Sequence, residues 1–145
     1  MNLSIIIPVF EEQRKIARDI PAAAEFLTGN RLAGEIIVVD DGSGDATAAV
    51  AGSVKMTPGA KLKVIRYEQN QGKGCAVRTG VLASQGDDVM FADSGLCVPY
   101  QNALRGLSLI KSGACEIAHG SRRLNASTII RPQAWQRRLS ARLFR

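Results

Sequence analysis

The sequence predicts an α/β domain with a mostly parallel, Rossmann-type sheet and helices on both faces. Short apolar runs alternate with helical stretches four times along the chain, and the runs are continuously hydrophobic. Strands of this kind are buried on both faces, as in parallel sheets whose connecting helices cover them. With 145 residues, 46% of them hydrophobic, the chain is long enough for one such domain with a sizeable core.

Compact apolar runs bounded by polar or turn residues predict the strands. The first run, LSIIIPV, is rich in β-branched residues and too short for a helix. The expected strands are Leu3–Val9, Glu35–Asp40, Lys61–Tyr67, Asp88–Ala92 and, shorter, Glu116–Ala118. In parallel sheets ligands bind beyond the carboxyl ends of the strands, so the polar residues that follow these runs are the candidate site.

Helical spacing of apolar residues predicts the segments between the strands. The expected helices are Glu11–Leu27, Asp45–Val54, Lys73–Ser84 and Pro99–Ile110. The inward positions of the first are Ile16, Ile20, Ala24 and Leu27, and those of the third are Val77, Val81 and Leu82. Pro21 is expected to kink or divide the first helix, because proline lacks the amide hydrogen.

The net charge of +6 is concentrated at one end of the chain. Basic and acidic residues number 12 each in residues 1–115, whereas residues 116–145 carry seven arginines against Glu116. This segment indicates an anionic partner such as phosphate, a membrane surface or nucleic acid, with a solvated basic tail as the simpler alternative. Nucleic acid is disfavoured, because no recognised binding motif is present and the main body is neutral.

The cysteine and histidine content argues against disulfide and metal sites, and the hydrophobic pattern argues against a leader or a membrane span. Three widely spaced cysteines without a CxxC pair disfavour a disulfide framework or structural zinc, and one histidine excludes a histidine-rich metal site. No apolar run approaches the roughly 18–20 residues of a membrane span, and no secretory signal pattern is present. A cytoplasmic location is therefore expected.

Three polar motifs follow the predicted strands. Asp40 and Asp41 begin the run DDGSGDAT, where one carboxylate serves a turn or helix cap and the other is free to accept hydrogen bonds from a base or ribose. Lys73 lies in NQGKG at a helix start, which suits a phosphate or a polar sugar but equally a glycine turn with a solvated lysine. Asp93 ends an apolar strand and is either a cation ligand or another helix cap.

Together these motifs resemble the inverting family 2 glycosyltransferases of the GT-A fold, and most closely the polyprenyl- and dolichyl-phosphate sugar transferases. LSIIIPVFEE, EIIVVDDGSGDAT, NQGKG, the Asp93 strand end and GSRR occur in the family's order and spacing. The resemblance covers nearly the whole chain. It implies a nucleotide-sugar-binding domain over residues 1–120 and a basic amphipathic segment over residues 121–145 that faces the acceptor and the membrane.

The resemblance also implies roles for single residues. The residues that correspond to donor-binding positions are Pro8, Phe10, Glu12, Asp40, Asp41, Gly72, Lys73 and Ser94. Asp93 corresponds to the first aspartate of the metal-binding DxD motif, which would hold Mg²⁺ or Mn²⁺ against the departing diphosphate. The basic residues that correspond to those facing the acceptor phosphate are Arg122, which is also implied in catalysis, Arg131 and Arg138.

The expected reaction is transfer of a sugar from UDP-glucose or GDP-mannose to a polyprenyl phosphate, with inversion, at the cytoplasmic membrane face. In the tail, Trp135, Leu139, Leu143 and Phe144 would lie near one face of a helix. This is the pattern of an interfacial helix attracted to anionic lipid, and equally of a face that packs on protein missing from the chain. Two departures from the family pattern leave an alternative open. Gly95 stands where the second DxD carboxylate belongs, and 145 residues fall short of the roughly 200–250 of such domains, which implies truncation at the C-terminus. The alternative is a catalytically silent nucleotide-sugar-binding or membrane-docking module.

Overall fold

The sheet organises the structure, a computed structural model that describes residues 2–56 and 58–121. The elements in chain order are β1 (Leu3–Val9), α1 (Ile16–Gly29), β2 (Gly34–Asp40), α2 (Thr47–Ser53), β3 (Ala60–Arg66), α3 (Lys73–Ala83), β4 (Asp88–Phe91) and α4 (Asn102–Lys111). Their alternation confirms the predicted α/β class, and the four strands begin and end within one residue of the predicted bounds.

The four strands are parallel and lie in the order β3-β2-β1-β4. Every residue of the central strands β1 and β2 is buried, which explains their continuous apolar sequences. Pro8 is tolerated in β1 because it lies beyond the last pair formed with β4, Ile6 with Phe91, where no ladder bond needs its missing amide hydrogen.

Helices cover both faces of the sheet, as predicted. On one face, α1, α2 and α4 pack over a large apolar cluster whose strand members include Ile5, Ile7 and Val38. On the other face, α3 packs over a smaller cluster of Ile6, Ile37, Val39 and Ala76. Across residues 2–56 and 58–121, no helix combines the length and hydropathy needed to cross a bilayer.

The inward face predicted for α3 is wrong. Ala76 and Gly80 are its buried residues, whereas Val81 and Leu82 are exposed. The reason is close packing: a Cβ at position 80 would lie 2.4 Å from Cγ2 of Ile6, so only a residue without a side chain allows the helix to approach β1.

Three further expectations need correction. The first helix begins at Ile16 rather than at Glu11, because residues 11–13 form hydrogen bonds to the loop after β2 instead. Pro21 lies inside this helix without dividing it, since the buried residues on both sides hold the helix against the sheet, while a kink at Pro21 stays a prediction. Residues 116–118 form no strand.

Candidate functional site at the carboxyl edge of the sheet

The predicted polar motifs meet at one edge of the sheet, because parallel strands all present their carboxyl ends there. Phe10 follows β1, Asp40 ends β2 and Asp41 follows it, Arg66 ends β3 and Asp93 lies just after β4. Beside them lies an open depression of about 600 Å³, lined by Glu11–Lys15 together with Gly44 and Asp45.

Asp41 fixes the turn that precedes α3. Its carboxylate is 3% exposed, and its two oxygens accept the backbone N–H groups of Gln71 and Gly72, each at 2.8 Å. Gly72 has a φ of +91°, a left-handed conformation that favours glycine. Both oxygens therefore bond the protein's own backbone, and through them Asp41 positions the turn.

One oxygen of Asp40 is buried without a hydrogen-bond partner among the described residues. Its Oδ1 accepts the backbone N–H of Ser43, three residues on, at 3.0 Å and also the Ser43 hydroxyl, which together fix the turn after β2. Its Oδ2 is buried and has no hydrogen-bond partner, and the nearest charge is Nε of Arg66 at 3.6 Å. A buried carboxylate oxygen without a donor is an acceptor site that a ligand N–H could satisfy.

Arg66 lies at the same edge, although no motif in the sequence marks it. It is the register partner of Asp40 across β2 and β3, and its Nη2 donates to the Ser43 carbonyl at 2.9 Å. The guanidinium is 55% exposed, so it reaches solvent beside the buried carboxylate. Its position as the last residue of a strand next to β2 is the signal that could have identified it.

Lys73 and Asp93 form an ion pair above the same edge. Lys73 is the first residue of α3, its ammonium bonds Oδ1 of Asp93, and its Nζ lies 5.7 Å from the centroid of the Phe91 ring. More than half of each charged side chain is exposed. Such a pair contributes little to stability, so an incoming phosphate or cation can replace either partner.

The segment after β1 borders the depression. Pro8 is buried, whereas Phe10 is 46% exposed at the edge. The backbone N–H of Glu12 donates to Oγ1 of Thr47 at 2.9 Å, and the carboxylate of Glu12 pairs with the Lys15 ammonium at 2.7 Å. These bonds fasten the segment to the loop that precedes α2.

One carboxylate of the Asp40–Asp41 pair was expected to stabilise the turn or cap the next helix, and Asp45 also contributes to this. Oδ1 of Asp45 accepts the backbone N–H of Thr47 at 2.9 Å and also its hydroxyl, and the hydroxyl bond is the main reason why the pKa of Asp45 is lowered. Asp45 therefore orders the start of α2.

Asp93 fits a divalent cation that arrives with phosphate oxygens. Within residues 2–56 and 58–121, no three acidic, histidine or cysteine side chains converge as a metal site. Ser94 and Gly95 follow Asp93 and supply no second carboxylate. One carboxylate together with diphosphate oxygens and water is nevertheless a common way to hold Mg²⁺, so the donor set suits an ion bound jointly with a ligand.

The arginines expected at the acceptor, Arg122, Arg131 and Arg138, lie outside the described residues, and their roles stay predictions. The described part of the candidate site therefore comprises Asp93 and the positions that are predicted to bind the donor.

Comparison with known proteins identifies what the chain is similar to. The profile of glycosyl transferase family 2 matches residues 4–137. The dolichyl-phosphate beta-glucosyltransferase of Drosophila melanogaster is 38% identical over 101 residues, 65% of this chain and 31% of that protein. The undecaprenyl-phosphate 4-deoxy-4-formamido-L-arabinose transferase of Sodalis glossinidius is 35% identical over 107 residues, 72% of this chain and 32% of that protein. The chain thus spans about a third of these curated relatives.

A solved structure supports the GT-A fold. Glucosyl-3-phosphoglycerate synthase from Mycobacterium tuberculosis, crystallised with Mn²⁺, UDP and phosphoglyceric acid, superposes with a TM-score of 0.52 at 29% identity. The match covers 64% of this chain and 32% of that protein. The parallel sheet of this chain therefore belongs to the same architecture.

Proposed function

Because this chain belongs to glycosyl transferase family 2, we propose that it binds a nucleoside-diphosphate sugar at the carboxyl edge of its sheet and passes the sugar, with inversion, to a polyprenyl phosphate. The observation that carries the proposal is the presence of two charged pairs, Asp40–Arg66 and Lys73–Asp93, at that one edge. One pair suits a nucleoside and the other suits a diphosphate.

At the nucleoside end, the free Oδ2 of Asp40 is the acceptor. Uracil and guanine both carry an imide-type ring N–H, which adenine and cytosine lack, and a carboxylate would accept that hydrogen strongly. The exposed guanidinium of Arg66 can donate to the carbonyl oxygen that stands beside the N–H in both bases. UDP-glucose and GDP-mannose are therefore the donors we propose.

At the diphosphate end, Lys73 offers an ammonium at the start of α3. The helix N-terminus adds partial positive charge, so anionic oxygens are attracted to this point. Asp93 would hold Mg²⁺ or Mn²⁺ together with the donor, and the ion would supply Lewis-acid stabilisation of the leaving diphosphate. Lys73, released from Asp93, would bond a phosphate oxygen and orient the donor.

The acceptor end rests on the basic segment. A polyprenyl phosphate is largely ionised near neutral pH, so its own oxygen can attack the sugar without a strong general base. We propose that Arg122, Arg131 and Arg138 bind that phosphate and that residues 121–145 lie at the anionic cytoplasmic membrane face as a peripheral segment.

A second candidate function is binding of the nucleotide sugar without turnover. Gly95 favours it, because the position that carries the second DxD carboxylate in the resembling enzymes has no side chain here. Such a module would bind donor and membrane but would release no product.

Calorimetric titration of UDP-glucose and GDP-mannose, each with and without Mn²⁺, tests the donor site. We expect one donor to bind more tightly with Mn²⁺, and Asp93→Ala to lose the metal dependence, while Glu68→Ala, on the exposed turn before Asn70, serves as the control. Absence of binding to both donors would contradict the proposed site. Transfer of labelled sugar to polyprenyl phosphate then separates the two candidate functions, because only the transferase yields lipid-linked sugar.

A further inference from the structure

A buried carboxylate on α1 bonds the loop that carries Asp93. Asp19 is 1% exposed, and its Oδ2 accepts the backbone N–H of Gly95 at 2.5 Å. The two residues lie 76 positions apart, and the bond joins the first turn of a helix to the residues that follow β4.

The fold gains little from this carboxylate. Its Oδ1 has no hydrogen-bond partner, and the nearest guanidinium nitrogen, Nη2 of the largely exposed Arg18, lies 3.8 Å away. Burial accordingly raises the pKa of Asp19. An acidic residue in a first helical turn is favourable without being buried, so the helix dipole does not explain why this one is enclosed.

The bonded loop needs an external support. Gly95 and Leu96 are consecutive residues with positive φ, +89° and +52°, and a leucine in that region is strained. Leu96 packs against the main apolar cluster, and the Gly95 amide is held by Asp19. These two attachments fix the backbone just after Asp93, whose own side chain is exposed and, among the described residues, paired with Lys73.

We propose that Asp19 is a positioning residue that holds the Asp93 loop in the conformation required for joint binding of cation and diphosphate. This inference rests on the proposed function, since it concerns the same site. A helix carboxylate that supports a ligand-bearing loop acts as outer-shell partners of metal ligands do, and their loss typically lowers metal affinity 10- to 100-fold.

Glu35 provides a matched control. It is also a buried acid, and its Oε1 accepts the backbone N–H of Gln85 at 2.7 Å and the Ser4 hydroxyl at 2.6 Å. These bonds lie at the amino edge of the sheet, opposite the site. Glu35→Ala removes a comparable bond between a carboxylate and a loop, at an edge where no nucleotide sugar is expected to bind.

The test uses the full chain with UDP and Mn²⁺ as the probe, together with hydrogen exchange of single amides without ligand. We expect Asp19→Ala to lower UDP affinity in Mn²⁺ by about 10- to 100-fold and to accelerate exchange of the Gly95 amide. Asp19→Asn keeps an acceptor oxygen for that amide and should restore most of the affinity. Glu35→Ala should accelerate exchange at Gln85 while leaving UDP affinity unchanged.

Unchanged UDP affinity in Asp19→Ala would overturn the inference, as would an equal loss in Glu35→Ala, which would show a global effect. A wild-type chain that binds no UDP would instead contradict the proposed function. Gly95 exchange still tests the bond in that case, and a rate unaltered by Asp19→Ala would overturn the positioning role.

Discussion

Asp41 and Gly72, 31 positions apart, are joined by a 2.8 Å hydrogen bond from the glycine amide to the aspartate carboxylate. The same carboxylate accepts the neighbouring amide of Gln71. The end of β2 therefore determines where α3 begins, and with it the position of Lys73.

Asp41→Ala should lower the free energy of unfolding by roughly 3 kcal/mol, because two hydrogen bonds to a charged, buried acceptor are lost and each contributes about 1.5–3 kcal/mol before the loop relaxes. Urea unfolding measures the change. The exposed Glu68→Ala should stay within about 0.5 kcal/mol of wild type. Equal stability of the two variants would show that Asp41 does not hold the turn.

Gly42→Ala should destabilise the domain by more than about 1 kcal/mol. Gly42 has a φ of +76°, and a Cβ there would lie 2.6 Å from the carbonyl carbon of Gln69. Gly44 is the internal comparison, since its Cβ would meet nothing closer than Oε1 of Glu11 at 3.9 Å. Thermal unfolding of both variants checks the difference, and a Gly44→Ala loss as large as that of Gly42→Ala would refute it.

Lys73→Met should have opposite effects on the affinities for Mn²⁺ and for UDP. Without donor, freeing Asp93 from its ammonium partner should tighten Mn²⁺ binding about two- to fivefold, the range of an exposed ion pair. With donor, loss of the cation should weaken UDP binding about tenfold or more. Electron paramagnetic resonance of free Mn²⁺ and calorimetry with UDP report the two effects.

Lys61→Met, an exposed substitution at the other end of β3, removes the same charge away from the site. It should change neither affinity. If both methionine variants behaved alike, the effect would be one of net charge rather than of the Lys73–Asp93 pair.

Asp19 should make stability depend on pH in a predictable direction. Its ordinary pKa is 3.8, and in the folded protein the pKa is raised, chiefly by burial. At pH values between the ordinary pKa and the raised pKa, the folded state binds more protons than the unfolded state. The free energy of unfolding therefore falls as pH rises through this range and levels off above the raised pKa. The charged groups that face Asp19 are Arg18, Glu12 and Lys15, and the tyrosine that faces it is Tyr100.

Asp19→Asn removes this titration, so the variant should gain stability relative to wild type as pH increases from 4 to 7. Denaturant unfolding at several pH values measures the difference between the two proteins. Parallel stability curves would exclude a raised pKa for Asp19.

The strands could be predicted from the sequence because their signal is local. Leu3–Val9 is a buried run rich in β-branched residues. A strand that is buried on both faces has this pattern whatever strands it pairs with, so the pattern can be recognised without knowing the pairing. The helix bounds and faces were harder. The start of α1 depends on bonds from Glu11 and Glu12 to residues more than 30 positions away, and the inward face of α3 depends on contact with Ile6.

The site was predictable in its location but only partly in its contacts. Asp40, Lys73 and Asp93 lie at one edge because all four strands are parallel and present their carboxyl ends there. Which aspartate holds the turn and which keeps a free oxygen depends on the backbone of residues 70–72. Arg66 and Asp19 carry no motif, so only the register with β2 and the packing of α1 reveal them.

In the described part of the chain, β4 pairs on one side only, and Val89 and Phe91 are exposed beside its open edge. Unpaired strand edges with apolar side chains are the usual starting points of aggregation. Wherever this edge is left uncovered, concentrated solutions of the chain should self-associate through β4. A lysine at position 89 would oppose that association without touching the carboxyl edge, since Val89 pairs with Ser4 near the beginning of β1.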